Sequence, residues 1–128
     1  MSEQRHPDIE IYIKNRSLTD IETWLNQCFE SLETALSQGT IHEYSAMLNG
    51  VKIPVMVHEK VVGKAWTSIW FKSDQTPWAI DLDCAIAAAK DMETQARCIA
   101  SGWSDGDEPD EWWKVEKGQQ ETILWQTH

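Results

Sequence analysis

The dipeptide Asn49-Gly50 restricts the fold of this chain more than any other feature. Asn and Gly both tolerate positive φ, as the central positions of a type I′ turn demand, and alternating residues flank them on both sides. A two-residue loop here makes Leu48 face Val51 and thereby fixes every cross-strand partner. Val51, Ile53, Val55 and Val57 then share a face with Leu48, Ala46, Tyr44 and His42, the expected core face. Glu43, Ser45, Met47, Lys52, Pro54, Met56 and His58 take the other. Pro54 adds a second constraint. In this register Ser45 and Pro54 form a non-hydrogen-bonded pair, so the position-54 nitrogen points away from the first strand and has no hydrogen to give a third. The 51–59 strand is therefore expected to be a sheet edge, or to bulge at Pro54.

The other elements follow from periodicity. Ile9, Ile11 and Ile13 alternate with Glu10, Tyr12 and Lys14, a half-buried strand. Ser17, with Asp20 three residues on, resembles an N-cap. Ile21, Leu25, Cys28, Leu32, Ala35 and Leu36 continue at spacings of three and four, predicting a helix of about 20 residues that stops at Gly39. Residues 64–72 form a strand with Ala65, Thr67, Ile69 and Phe71 on one face and Trp66, Ser68 and Trp70 on the other. Leu82, Ala85, Ile86, Ala89, Met92, Ala96 and Ile99 predict a second helix, ended by Gly102. Residues 111–116 and 121–126 complete a hairpin around Lys117-Gly118-Gln119. The expected order is β-α-β-β-β-α-β-β. The class is α+β, a mainly antiparallel sheet with two helices on one face, in a single domain over 1–128 whose first eight residues are flexible.

Charge narrows the partners. The net charge is −10, with −3 over residues 1–64 and −7 over 65–128. Such a surface repels phosphate backbones and anionic lipid, so neither nucleic acid nor membrane is an expected partner, whereas a basic protein is attracted. No apolar run reaches the roughly 18–20 residues of a membrane span, and residues 1–7 carry no signal-peptide core, which gives a cytoplasmic expectation. Cys28, Cys84 and Cys98 lack metal-ligand spacing and read as buried thiols. Motifs for a nucleophile elbow, a phosphate loop or a zinc helix do not occur, so no catalytic residue, metal or cofactor is expected. His42 reads as a hydrogen-bonded structural residue, and His58 as a surface partner of Glu43.

Tryptophan is the outlier. There are eight in 128 residues, and six of them fall after residue 69. Any one reads as core, because each ring buries a large area. The set is harder to place there: Trp66 and Trp70 face away from Ile69 and Phe71, and Trp112 and Trp113 must take opposite faces of one strand. Between Trp103 and Trp112 lies an acidic loop carrying Asp105, Asp107, Glu108 and Asp110, whose spacing does not match a calcium loop. Aromatic anchors beside carboxylates suit a partner that supplies arginines. The expected partner-binding set is thus Trp66, Trp70, Trp103, Asp105, Asp107, Glu108, Asp110, Trp112 and Trp113. The functional expectation is a non-enzymatic acidic domain that binds a basic protein. Small inhibitors such as the immunity proteins of nucleases share its size and charge, a likeness of composition and not of family. The alternatives are a small-molecule module with a tryptophan-lined pocket, a small enzyme, and a homodimeric structural subunit.

Overall fold

The computed structural model describes residues 6–100 and 111–125. Trp103, Asp105, Asp107, Glu108 and Asp110 lie outside the described residues. In chain order the elements are β1 (Ile9–Lys14), α1 (Leu18–Cys28), β2 (Ser31–Gln38), β3 (Ile41–Leu48), β4 (Val51–Val62), β5 (Trp66–Phe71), α2 (Asp81–Asp91), β6 (Ala96–Ile99), β7 (Glu111–Glu116) and β8 (Gln119–Leu124). The strands form one eight-stranded sheet in the order β2-β3-β4-β5-β1-β6-β7-β8, with every pairing antiparallel. The class is α+β.

Asn49 and Gly50 adopt φ of 52° and 78°, and the β3–β4 register is the one their turn dictates, from Leu48↔Val51 to His42↔Val57. Tyr44, Ala46, Ile53, Val55 and Val57 are buried on one face together with Ile9, Ile11, Ile13, Ile69 and Phe71. Both helices lie on this face: Ile21, Trp24 and Leu25 of α1 and Cys84, Ala85 and Ala88 of α2 join the same cluster. Ser17 and Asp20 form a complete capping box at the start of α1, satisfying two backbone N–H groups that the first turn leaves open. Alanines let α2 approach β1, β6 and β7 closely.

Two strands occupy sequence expected to be helical. The first predicted helix ends at Cys28, because Phe29 turns to an extended backbone, and residues 31–38 pair with β3. Leu32, Thr34 and Leu36 also alternate, so the segment fits both periods, and the neighbouring strand decides between them. The second predicted helix ends at Met92 and not near Gly102. Glu93 takes φ of 51° and Thr94 N–H donates to the Ala89 carbonyl at 3.1 Å, a Schellman-type closure without glycine. Ala96 and Cys98 then face the core from β6.

Pro54 acts as the register requires, though β4 is an interior strand. The β4–β5 ladder begins at Val55↔Phe71, and Pro54 keeps only the carbonyl half of the next pair, accepting from Lys72 N–H at 2.9 Å. Val51–Pro54 is thus a local edge, while the irregularity in β4 falls later, between His58 and Val62. His6 and Asp8, just before β1, make contacts with the rest of the fold. His6 N–H donates to the Ala79 carbonyl at 2.8 Å, His6 Nδ1 lies 3.2 Å from Asp81, and Asp8 accepts a hydrogen bond from Trp70.

Candidate functional site

Strand alternation divides the aromatic residues into two groups. Between helices and sheet, Trp24 stacks on Trp78 with ring centroids 5.5 Å apart, and Phe29 and Phe71 complete the group. Trp24 also donates from Nε1 to Asp91 at 3.1 Å. These rings pack against one another between the helices and the sheet, where the alternative reading put a tryptophan-lined pocket.

The second group stands on the opposite face, which neither helix covers. Tyr12 of β1, Trp66 of β5 and Trp112 of β7 point there, and Trp125, just after β8, lies against all three at centroid distances of 4.8–5.5 Å. Arg97 of β6 places its guanidinium carbon 4.6 Å from the Trp66 ring centre and 4.4 Å from that of Trp125, within cation–π range. Its Nε donates to Gln95 Oε1 at 2.7 Å, and Gln95 passes a longer hydrogen bond of 3.3 Å to Glu116. Burial lowers the Arg97 pKa and Glu116 opposes the shift, so the group stays cationic at any ordinary pH. As a result Trp66 and Trp112 are only 8% and 7% exposed despite facing away from the helices. They form the floor of a small second core. Trp125, partly exposed, forms its lid.

Trp70 differs from these. It is half-buried on the same face, between Glu10 of β1 and Met56 of β4. Its Nε1 donates to Asp8 Oδ2 at 2.6 Å, and Lys72 Nζ sits 4.7 Å from its ring centre. Burial of the carboxyl, then the charges of Asp81 and Asp8, raise the Glu10 pKa even though the residue as a whole is exposed. The protonated form is therefore favoured more in the folded state than in the unfolded chain. Stability from this group is present below the ordinary glutamate pKa and is lost as pH rises through the raised value. Glu10→Gln is expected to raise the melting temperature slightly at pH 7, the gain vanishing below about pH 4. Thermal unfolding of both proteins across pH tests this; a gain that persists at pH 3 would point away from charge.

Of the expected binding residues, Trp66, Trp70 and Trp112 share the open face, while Trp113 points to the helix side and packs against the core. Residues 101–110 join β6 to β7, whose ends are pinned by Ala100 N–H donating to the Glu111 carbonyl at 3.0 Å. Ile99, 38% exposed, and Trp112 stand at that end on the open face. Sequence reasoning missed Tyr12, Arg97 and Trp125. The histidine–glutamate contact of the first hairpin is also not His58–Glu43. His42 Nε2 lies 2.8 Å from Glu59 and its Nδ1 2.6 Å from Ser37 Oγ, which satisfies a buried imidazole at both nitrogens. Among the described residues, no three histidine, cysteine, aspartate or glutamate side chains gather as a metal ion requires. No helix among them is long and apolar enough to cross a membrane.

No known family, curated protein or solved structure matches this chain.

Proposed function

We propose that this domain is a binding protein, and that its open sheet face receives a basic protein partner. The observation that carries the reading is the one-sided placement of the helices. It leaves Trp70, Met56, Ile99 and the Trp125 lid on a broad face with carboxylates at its margin. Aromatic and methionine side chains are enriched in the centres of interfaces. Glu10, the cross-strand neighbour of Trp70, has its pKa raised first by burial and then by the crowding of Asp81 and Asp8. A guanidinium from a partner relieves that crowding and stacks on an aromatic ring in one contact. Lys72 over Trp70 already makes a weaker internal version of it.

Trp66 and Trp112 support this surface from beneath, so their replacement tests folding and not recognition. Trp70 and Glu10 are the informative positions. Capture from extract of the native cell with wild type and with a Trp70→Ala/Glu10→Gln variant, each at low and high salt, tests the proposal. The expected result is a basic protein retained by wild type, released by salt and weakened by roughly tenfold or more in the variant, as a central aromatic contact implies. A partner bound equally by the variant would move the site elsewhere. A partner that is acidic or insensitive to salt would overturn the charge argument.

A further inference from the structure

The two edges of the sheet are protected unequally. At one edge, β2 breaks its ladder with an irregularity between Thr34 and Leu36, a device that discourages further strand addition. At the other, β8 reads Gln-Gln-Glu-Thr-Ile-Leu, with no proline, no lysine and an unbroken register against β7. Among the described residues its outer side pairs with nothing. Its last residue, Leu124, is 76% exposed, the highest value among the large exposed hydrophobic residues.

The turn before β8 determines which backbone groups are unpaired. Lys117 and Gly118 have φ of 54° and 77°, a two-residue hairpin loop, so Glu116↔Gln119 is a hydrogen-bonded pair and alternate pairs follow. Glu121 and Ile123 therefore spend their N–H and C=O groups on β7. Gln120, Thr122 and Leu124 present theirs to the outside. These three positions are symmetric about Thr122.

We propose that two copies of this chain pair antiparallel through β8, about a two-fold axis at Thr122, joining their sheets into one. In that register Thr122 faces the partner's Thr122, and Gln120 faces the partner's Leu124, so all the outward groups are used. Glu121 lies opposite the partner's Ile123, which avoids a direct like-charge pair, and Lys114 holds it at 3.5 Å. The register also gives Leu124 a destination. Its side chain is on the helix side of the sheet, as is Gln120, which lines a groove of about 480 Å³ between α2 and the β7–β8 hairpin. Ile86, Ala89 and Val115 give that groove its apolar walls. Each subunit thus brings its exposed leucine to the mouth of the other's groove. The inference does not rest on the proposed partner binding, which uses a different face. Salt separates the two. Two chains of charge −10 repel each other, so screening strengthens the dimer and weakens the grip on a basic partner.

A six-residue edge makes a small interface, so a dissociation constant of roughly 10–100 µM is expected. Sedimentation of the full chain across concentration measures it. Thr122→Pro removes only outward-facing N–H groups and leaves the β7–β8 ladder whole. It is expected to weaken the dimer roughly ten- to a hundredfold, as the loss of two hydrogen bonds implies. Thr122→Lys, which sets two cations face to face, is expected to do the same without a change of backbone. Under oxidation Thr122→Cys is expected to cross-link two chains, with Cα atoms about 5.5 Å apart across the axis. Gln120→Cys is expected not to, because its copies stand about 14 Å apart. A chain that stays monomeric at about ten times the expected constant overturns the proposal. So does an oligomer that both position-122 variants leave intact, or equal cross-linking at 120 and 122.

Discussion

Trp24→Ala is expected to destabilise the domain by about 3–5 kcal/mol, the range for removing a fully buried large aromatic. For a domain whose total stability is of order 5–15 kcal/mol, that is a large fraction, enough to leave a measurable unfolded population without denaturant. The reason is positional. Trp24 is 1% exposed and joins α1 to three parts of the molecule. It stacks on Trp78 of the β5–α2 connection, packs edgewise on Phe71 of β5 and donates to Asp91 at the end of α2. Alanine leaves a cavity that none of these neighbours can close without shifting a helix. The hydrogen bond itself is the smaller part, because Asp91 is exposed and water replaces the indole. Trp24→Phe keeps most of the buried area and is expected to lose only about 1–2 kcal/mol. Urea unfolding of the three proteins decides the matter. A cost below about 1 kcal/mol for alanine would mean that α1 is not seated as described.

The fold was legible where one residue pair controls many others. Asn49-Gly50 gives φ, turn length, register and core face together, whereas Pro54 coincides with the start of the β4–β5 ladder without making β4 an edge strand or placing a bulge there. Legibility failed where a segment satisfied two periods. Leu32, Ala35 and Leu36 extend the spacing of α1, yet Leu32, Thr34 and Leu36 alternate, and only pairing with β3 makes them a strand. Ala96 and Ile99 extended α2 in the same way. The stop signal there is Glu93 in the left-handed region, a conformation that glycine or asparagine advertises and glutamate does not.

Legibility of the open face follows the same division. Trp66 and Trp70 were placed correctly because their strand was read correctly. Arg97 could not be placed, because its strand was read as helix, and without Arg97 there was no reason to bring Trp125 to Tyr12. The placement changes the meaning of the tryptophan excess. Trp24, Trp78 and Trp113 pack with one core and Trp66 and Trp112 with a second, which leaves Trp70 and Trp125 as the described tryptophans with surface on the open face.

Arg97 holds that second core together. Arg97→Ala is expected to cost about 3 kcal/mol, from the loss of two cation–π contacts and of a charged hydrogen bond that leaves the buried Gln95 oxygen unpaired. Arg97→Lys keeps a cation but cannot lay a plane on the rings while donating from Nε, so about half of the loss is expected. A double-mutant cycle separates this from simple truncation. If the guanidinium binds the Trp125 ring, then Arg97→Ala and Trp125→Ala together cost less than their sum by about 0.5–2 kcal/mol. Strict additivity in urea unfolding would mean that the two side chains are neighbours without coupling. The lid would then be held by ring contacts alone, and Trp125 would be free to leave the cluster for a partner. Strong coupling has the opposite consequence. It fixes the lid as part of the domain and, on the proposed reading, leaves the surface around Trp70, whose indole is already hydrogen-bonded to Asp8, as the place where a partner would gain most.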